Sequence, residues 1–316
     1  MEHNTKIYIA GHRGMVGSAI WRKLEAEGFT NITGKTSKEL DLRDQQAVKQ
    51  FFAEEKPEVV IDAAARVGGI MANNDYPYQF LMENLQIQNN LIDESHKAGV
   101  EKFIFLGSSC IYPKLAPQPL KEEYLLSGRL EETNQWYAIA KIAGVKACEA
   151  IRKQHGKDFV SLMPTNLYGT HDNFDLRTSH VLPAMIRKFH DAAKNGNTPV
   201  ELWGSGNPMR EFLFVDDLAD AVYFALNNKL PENLYNIGTG KDITIKELAV
   251  LIQEIVGHDG EIIWDSSKPD GTPRKLMDVD KMKNAGWKAT TSLKEGIKRT
   301  YGWFLQNSEN YKQVKL

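Results

Sequence analysis

Tyr137 and Lys141 stand four residues apart in WYAIAKIAGVKACEA, a spacing that puts a phenol and an ammonium on one helix face. A phenol of pKa about 10 exchanges protons poorly near neutrality. An ammonium held beside it favours the phenolate and draws that pKa down, which suits proton exchange with a carbinol or carbonyl oxygen. Upstream, Ser108 closes the apolar run KFIFLGSS, where open α/β sheets place their ligands, and its hydroxyl can hold the same oxygen. Near the start, Gly11-His12-Arg13-Gly14-Met15-Val16-Gly17 spaces its glycines as G-x-x-G-x-x-G. Such a turn lets backbone approach a pyrophosphate and sets the phosphate on a helix N-terminus. Each feature alone has an ordinary reading, as a chance helical pair, a strand end or a packing turn. Together they point to redox chemistry between a carbonyl and a carbinol at a dinucleotide site.

The elements that must position these groups alternate. KIYIAG (6–11) reads as a strand, and the stretch to Gly28 reads as a helix closed by glycine. NITGK is a weak strand, whereas EVVIDAAA (58–65) and KFIFLGSS (102–109) read as strands covered on both faces. NLQIQNNLIDESHKAGV and the stretch from Trp136 to His155 read as helices, and FVSLMPTNLYG as the strand that follows. This alternation predicts an α/β fold, a Rossmann-type doubly wound parallel sheet over residues 1–170. Beyond it the texture changes to polar loops, HDNFDLRTSH and SSKPDGTPRK, with helical patterns in ITIKELAVLIQEIVG and SLKEGIKRTYGWFLQN. A smaller α+β lobe is expected over 171–316, with a segment near 210–240 returning to the sheet.

The second strand bears on the cofactor. NAD sites carry an acid about 20 positions on, to bond the ribose 2′-OH. Here the chain reads Thr33-Gly34-Lys35-Thr36-Ser37-Lys38, with no acid before Glu39 and Asp41. Lys35, helped by Arg13, can meet a 2′-phosphate instead, so NADP is expected. The alternative is that both are solvated surface charges.

In their order along the chain, the glycine turn, Asp62-Ala63-Ala64-Ala65, Ser108 and Tyr-x-x-x-Lys resemble the extended short-chain dehydrogenase/reductase family over essentially the whole length. Longer runs narrow the resemblance: GSSCIYPK, Met163 to Gly169, His171 to Phe174, Ser179-His180 and Pro208-Met209-Arg210-Glu211-Phe212. Cys110 stands where dehydrating members carry Asp or Glu and simple 4-epimerases a small residue. The resemblance implies a member that epimerises GDP-4-keto-6-deoxy-D-mannose at C3 and C5 and then reduces C4 with NADPH. Cys110 and His180 would be the acid/base pair, since a thiol of pKa about 8.5 and an imidazole of about 6.5 bracket neutrality. Without the resemblance, Cys110 reads equally as a small buried hydrophobe and His180 as a structural helix-start residue.

By the same resemblance, the cofactor lies against residues 11–17, Lys35, Asp41, Leu42, Ala63, Ala64, Leu106, Gly107, Ser108, Ser109, Tyr137, Lys141, Pro164, Thr165, Asn166, Leu167 and His180. The GDP-sugar is implied to meet Asn166, Val181, Lys188, Trp203, Arg210, Asp270 and Lys275. Trp203 has a second reading as a core aromatic, and Lys188 as part of a solvated face. A homodimer packed through helices that include the one carrying Tyr137 is the family's usual state.

Bulk properties exclude other classes. The 316 residues, enough for one to three domains, carry 39 basic and 41 acidic side chains, so neither a nucleic-acid nor a membrane-surface partner is expected. Cys110 and Cys148 lack CxxC spacing, so neither a disulfide framework nor a metal site is expected, and a reduced cytoplasm suits the chain. MEHNTKIYIAG runs straight into a strand without a signal peptide, and no apolar run spans a bilayer. Two other readings stay open: a nucleotide-sugar 4-epimerase or dehydratase that retains its nicotinamide, and a non-catalytic NADP-binding regulator. Net NADPH consumption separates the first from the leading reading, and the intact Ser108, Tyr137 and Lys141 weigh against the second.

Overall fold

The computed structural model describes residues 1–268 and 270–307. The first half builds β1 (Ile7–Ala10), α1 (Met15–Ala26), β2 (Ile32–Thr33), α2 (Gln45–Glu55) and β3 (Val59–Asp62). It continues through α3 (Ile70–Asp75), α4 (Pro77–Lys97), β4 (Lys102–Leu106), α5 (Gln135–His155), β5 (Asp158–Pro164) and β6 (Asn166–Tyr168). The helix α2 was not read from sequence. Asp44 caps it, its carboxylate accepting from the N–H groups of Gln46 and Ala47 at 2.9 and 3.1 Å.

FVSLMPTNLYG was read as one strand and is two. Pro164 has no N–H to donate, and β4 has already ended at Leu106. The chain therefore leaves the large sheet at Thr165, and β6 pairs Asn166 with Phe212 in a second sheet. The second half builds α6 (Val181–Lys194), β7 (Val200–Trp203), β8 (Met209–Phe214), α7 (Val215–Asn227), β9 (Leu234–Ile237) and β10 (Asp242–Thr244). It ends with α8 (Ile245–Val256), β11 (Ile262–Asp265), β12 (Arg274–Lys275), α9 (Asp280–Asn284) and α10 (Leu293–Asn307).

The large sheet runs β2-β1-β3-β4-β5-β9, with every neighbour pair parallel. Connections leave β1 toward β2 on one side and proceed from β3 on the other. The order reverses between β1 and β3, where such sheets open a crevice at their carboxyl ends. Period-two alternation divides the core. Ile7, Ile9, Val59, Ile61 and Ile104 pack with α1 and α7, whereas Tyr8, Val60, Phe103 and Phe105 pack with α2, α4 and α5.

The smaller lobe is centred on β8, which pairs with β6, β10 and β12, and has its own core under α6, α8 and α10. Two stretches of the second half pack on the large sheet instead. The first contains α7 and β9. The second contributes Met282 and Trp287, which lie beyond the expected returning segment. No described helix is long and apolar enough to cross a membrane.

Candidate active site

The nucleotide end forms where β1 meets α1. Gly11 takes a left-handed φ of 76°, and the N–H of Gly14 donates back to its carbonyl at 2.9 Å. A Cβ on Gly11 would sit 2.7 Å from the Ala63 carbonyl oxygen, and one on Gly17 would sit 2.3 Å from that of Gly11. The turn thus lies directly against Ala63 and Ala64 at the switch between β1 and β3. Gly14 caps α1 without a side chain, and the first turn of α1 holds no acid. Backbone N–H groups and the helix dipole therefore face the crevice, and this cradle fits a dinucleotide pyrophosphate.

Around the turn, the His12 ring packs against Gly34 and lies 5.7 Å from the Trp21 ring, and Met15 and Val16 lean on the core. Arg13 and Lys35 both lie close enough to help hold the Glu39 carboxyl below its ordinary range, though its bonds to Thr36 do most of that work. Lys35 also approaches Glu55 at 3.6 Å. Asp41 takes two bonds from the Arg43 guanidinium at 2.9 and 2.8 Å, and the Leu42 carbonyl accepts from Asn90.

The second wall descends from β4. Gly107 donates to Leu162, and a Cβ on it would overlap the Met163 side chain. Ser108 then starts a tight turn over Ser109–Ile111, its hydroxyl accepting from the Cys110 N–H at 3.4 Å. This turn buries Ser109 and Cys110 beneath the cleft and leaves Ser108 half-buried. Helix α5 brings Lys141 against the same strand end. Its ammonium donates to the Leu106 carbonyl at 3.0 Å and lies 5.9 Å from the centre of the Tyr137 ring.

One expectation needs correction. Lys141 was to draw the Tyr137 phenol down, yet the phenol lies well above its ordinary value. Burial is the main cause, and nearby Cys110 (when ionised) and Asp62 push the same way. The ammonium is turned toward the strand carbonyl, and desolvation outweighs any help it gives. Burial likewise raises the Cys110 thiol, opposed first by Lys275, then by Ser108 and Lys141.

The third wall comes from the loop after β6 and the smaller lobe. The Thr178 carbonyl accepts from Gly69 at 3.1 Å, which ties the loop to the segment after β3. His180 then caps α6 with extended backbone. It is open to solvent at the cleft, but the surrounding protein and then Lys275 hold its imidazole below the ordinary value. Pro164, Thr165, Asn166 and Leu167 line the step from β5 to β6. There the Asn166 amide and Thr165 hydroxyl both donate to the Glu211 carbonyl.

Arg210 and Lys275 are register partners across β8 and β12, a like-charged pair that suits an anion between or above it. Lys275 is thus the electrostatic neighbour of both Cys110 and His180. A cavity of about 50 Å³ beside it is lined by Ser109, Cys110, Tyr112, Lys114, Glu131 and Lys275, among others.

The remaining residues lie along the lobe. Val181 opens α6 and is exposed, and Lys188 donates to the Glu201 carbonyl at 2.7 Å. Trp203 is 58% exposed, which removes its reading as a core aromatic, and the Lys268 ammonium lies 5.7 Å from its ring centre. Asp270 is engaged by the Ser205 N–H and hydroxyl, each at 2.7 Å. Pro269, in the same loop, lies outside the described residues.

Sequence reasoning passed over Glu211. Its fully buried carboxylate accepts from Thr239, Gly240 and Met277 N–H groups at 2.6, 2.7 and 2.9 Å, pinning two segments beside Arg210 and Lys275. The only available signal was an acid within the apolar strand MREFLF.

Comparison with known proteins identifies the family. Residues 7–238 match the NAD dependent epimerase/dehydratase family. GDP-L-fucose synthase 1 of Arabidopsis thaliana is 57% identical over 306 residues, covering 97% of this chain and 95% of that protein. GDP-L-fucose synthase of Escherichia coli K12 is 51% identical, covering 97% of this chain and 98% of that protein. Among solved structures, a GDP-mannoheptose C4 reductase from Campylobacter jejuni with NADP bound superposes with a TM-score of 0.90 at 43% identity. It covers 96% of this chain and 99% of that one. With residues 7–238 matched by that model and relatives above 50% identity over nearly the whole length, the chain belongs to the NAD dependent epimerase/dehydratase family.

Proposed function

We propose that this protein converts GDP-4-keto-6-deoxy-D-mannose to GDP-L-fucose by inverting C3 and C5 and then reducing C4, with NADP(H) as cofactor. The observation that carries the reading is Lys275, which acts electrostatically on both Cys110 and His180, while Cys110 in turn acts on Tyr137. A ketone at C4 acidifies the hydrogens on C3 and C5, because loss of either gives an enolate. Inversion needs a base on one face of the sugar and an acid on the other. Burial keeps Cys110 a thiol, and the surrounding protein with Lys275 keeps the solvent-open His180 a neutral imidazole near neutrality, so one acid and one base stand ready. Each centre loses one proton and regains one, with no net change.

The reduction uses the other wall. Residues 11–17 would hold NADPH, with Arg13 and Lys35 to meet its 2′-phosphate, and the bound cofactor would supply the hydride for C4. Ser108 holds the C4 oxygen, and Tyr137 gives it a proton that solvent later restores. A phenol raised by burial is in the protonated form this direction requires. Arg210, Lys188 and Lys275 meet the diphosphate. The exposed Trp203 offers a stacking face to the base, near Asp270.

We assign the 171–316 lobe, apart from its returning stretches, to the sugar nucleotide. Exposed Tyr78, Trp136 and Ile139 on α4 and α5 support a homodimer through those helices, and two free thiols suit a reducing cytoplasm.

Incubation with GDP-4-keto-6-deoxy-D-mannose and NADPH, with the product identified by NMR, tests the reading. The expected outcome is GDP-L-fucose with one NADPH oxidised per sugar. Turnover without net NADPH consumption would overturn it.

A further inference from the structure

Asp62 ends β3 and is fully buried. Its position on the strand, two beyond Val60, turns it to the face covered by α2, α4 and α5. One carboxylate oxygen accepts from the Ala64 N–H at 3.1 Å, and the other has no hydrogen-bond partner among the described residues. Asp62 is in register with Phe105 on β4, on the same face. The Lys141 ammonium lies 4.6 Å from the centre of the Phe105 ring and donates to the next residue, Leu106. A buried carboxylate and a buried ammonium thus lie at adjacent strand ends, without an ion-pair contact among the described residues.

We propose that Asp62 is a positioning residue that keeps Lys141 a cation by its field alone, and so sets the alkaline limit of C4 reduction. Attraction between the two is the largest influence opposing desolvation on each. The carboxyl is pushed up to about 6, so it is ionised at neutral pH. The other titratable groups facing the pair are Tyr8 on β1, Cys110 after β4, and Tyr137 and Cys148 on α5. All four carry no charge at neutral pH, because burial raises each of them. From α2 and α4, Phe51, Phe52, Leu91 and Ile92 belong to the apolar cluster on this face of the sheet, and Gln88, uncharged, donates to the Ala140 carbonyl beside Lys141. Asp62 therefore supplies the negative charge here and Lys141 the positive one.

The signs run in one direction. Removing the Asp62 charge makes Lys141 lose its proton at lower pH. It also removes a repulsion that holds Tyr137 protonated. Both changes move the alkaline limb of reduction toward neutrality.

The inference rests on the Tyr137–Lys141 reading for its kinetic arm, and an unfolding cycle tests it independently. Asp62→Asn keeps the shape and the acceptor for Ala64. It is expected to move the alkaline limb of NADPH oxidation down by about 1 pH unit. A limb superimposable on that of the unsubstituted protein would overturn the proposal. Urea unfolding at pH 8 of Asp62→Asn, Lys141→Met and the double variant supplies the second readout. The double variant is expected to unfold at a higher midpoint than Lys141→Met alone, because it no longer buries a lone carboxylate. A double variant whose midpoint is no higher than that of Lys141→Met overturns the proposal, and this comparison holds even if Asp62→Asn alone fails to fold. If Lys141→Met reduces C4 at full rate, the tyrosine–lysine reading falls and the unfolding cycle alone decides for Asp62.

Discussion

At the scale of single residues, burial sets the protonation states more than pairing does. His180 lies below its ordinary value and Cys110 above, each chiefly through desolvation. The base form of one and the acid form of the other therefore coexist over a wide pH range. Exchange of C3 and C5 hydrogens with deuterated solvent is expected to be flat between about pH 6.5 and about pH 8.5. It should fall in acid as His180 is protonated and in alkali as Cys110 ionises. An acid limb centred above neutrality would contradict this assignment. Substitution separates the two chemistries. Cys110→Ser should slow deuterium wash-in by about 10²-fold or more while NADPH affinity is kept, and Tyr137→Phe should keep wash-in while hydride transfer slows by a similar factor. The types and spacing of Ser108, Tyr137 and Lys141 were legible in the sequence. The partners of Lys141 were not, because a strand carbonyl and a buried aspartate on β3 approach it only in three dimensions.

At the scale of elements, the glycine turn was legible because its context is local: a strand, a left-handed Gly11 and a helix capped by Gly14. The joint that places the cations was not. Arg210 and Lys275 lie 65 positions apart and meet only because β12 pairs with β8 in parallel. Glu211 holds that joint by accepting N–H groups from both sides of it. Glu211→Ala leaves the buried Met277 N–H and the part-buried Thr239 and Gly240 N–H groups without their acceptor, and is expected to cost about 2 kcal/mol or more in urea unfolding. With β12 loosened, the KM for the sugar nucleotide should rise while the affinity for NADPH, assigned above mainly to the turn of residues 11–17, stays near its starting value. Equal losses at both sites would mean that Glu211 supports the fold at large.

At the scale of the whole molecule, the domains are interleaved rather than consecutive. The face of β1, β3 and β4 under α1 is completed by α7, β9 and Trp287, all from beyond residue 210. A fragment of residues 1–170 is therefore expected to lack cooperative unfolding and native near-UV ellipticity, since Leu162 and Ile104 would lose their cover. A fragment that folds and binds NADPH would show that the returning stretches are dispensable. The sequence by itself determined the alternating α/β order, the dinucleotide turn and the spacing of tyrosine and lysine, because these are local patterns of period and turn chemistry. Only the tertiary structure decided that Lys275 neighbours both Cys110 and His180, that burial raises Tyr137 against the expected help from Lys141, and that Asp62 acts on Lys141. These depend on strand pairing and desolvation, which arise only when distant segments pack.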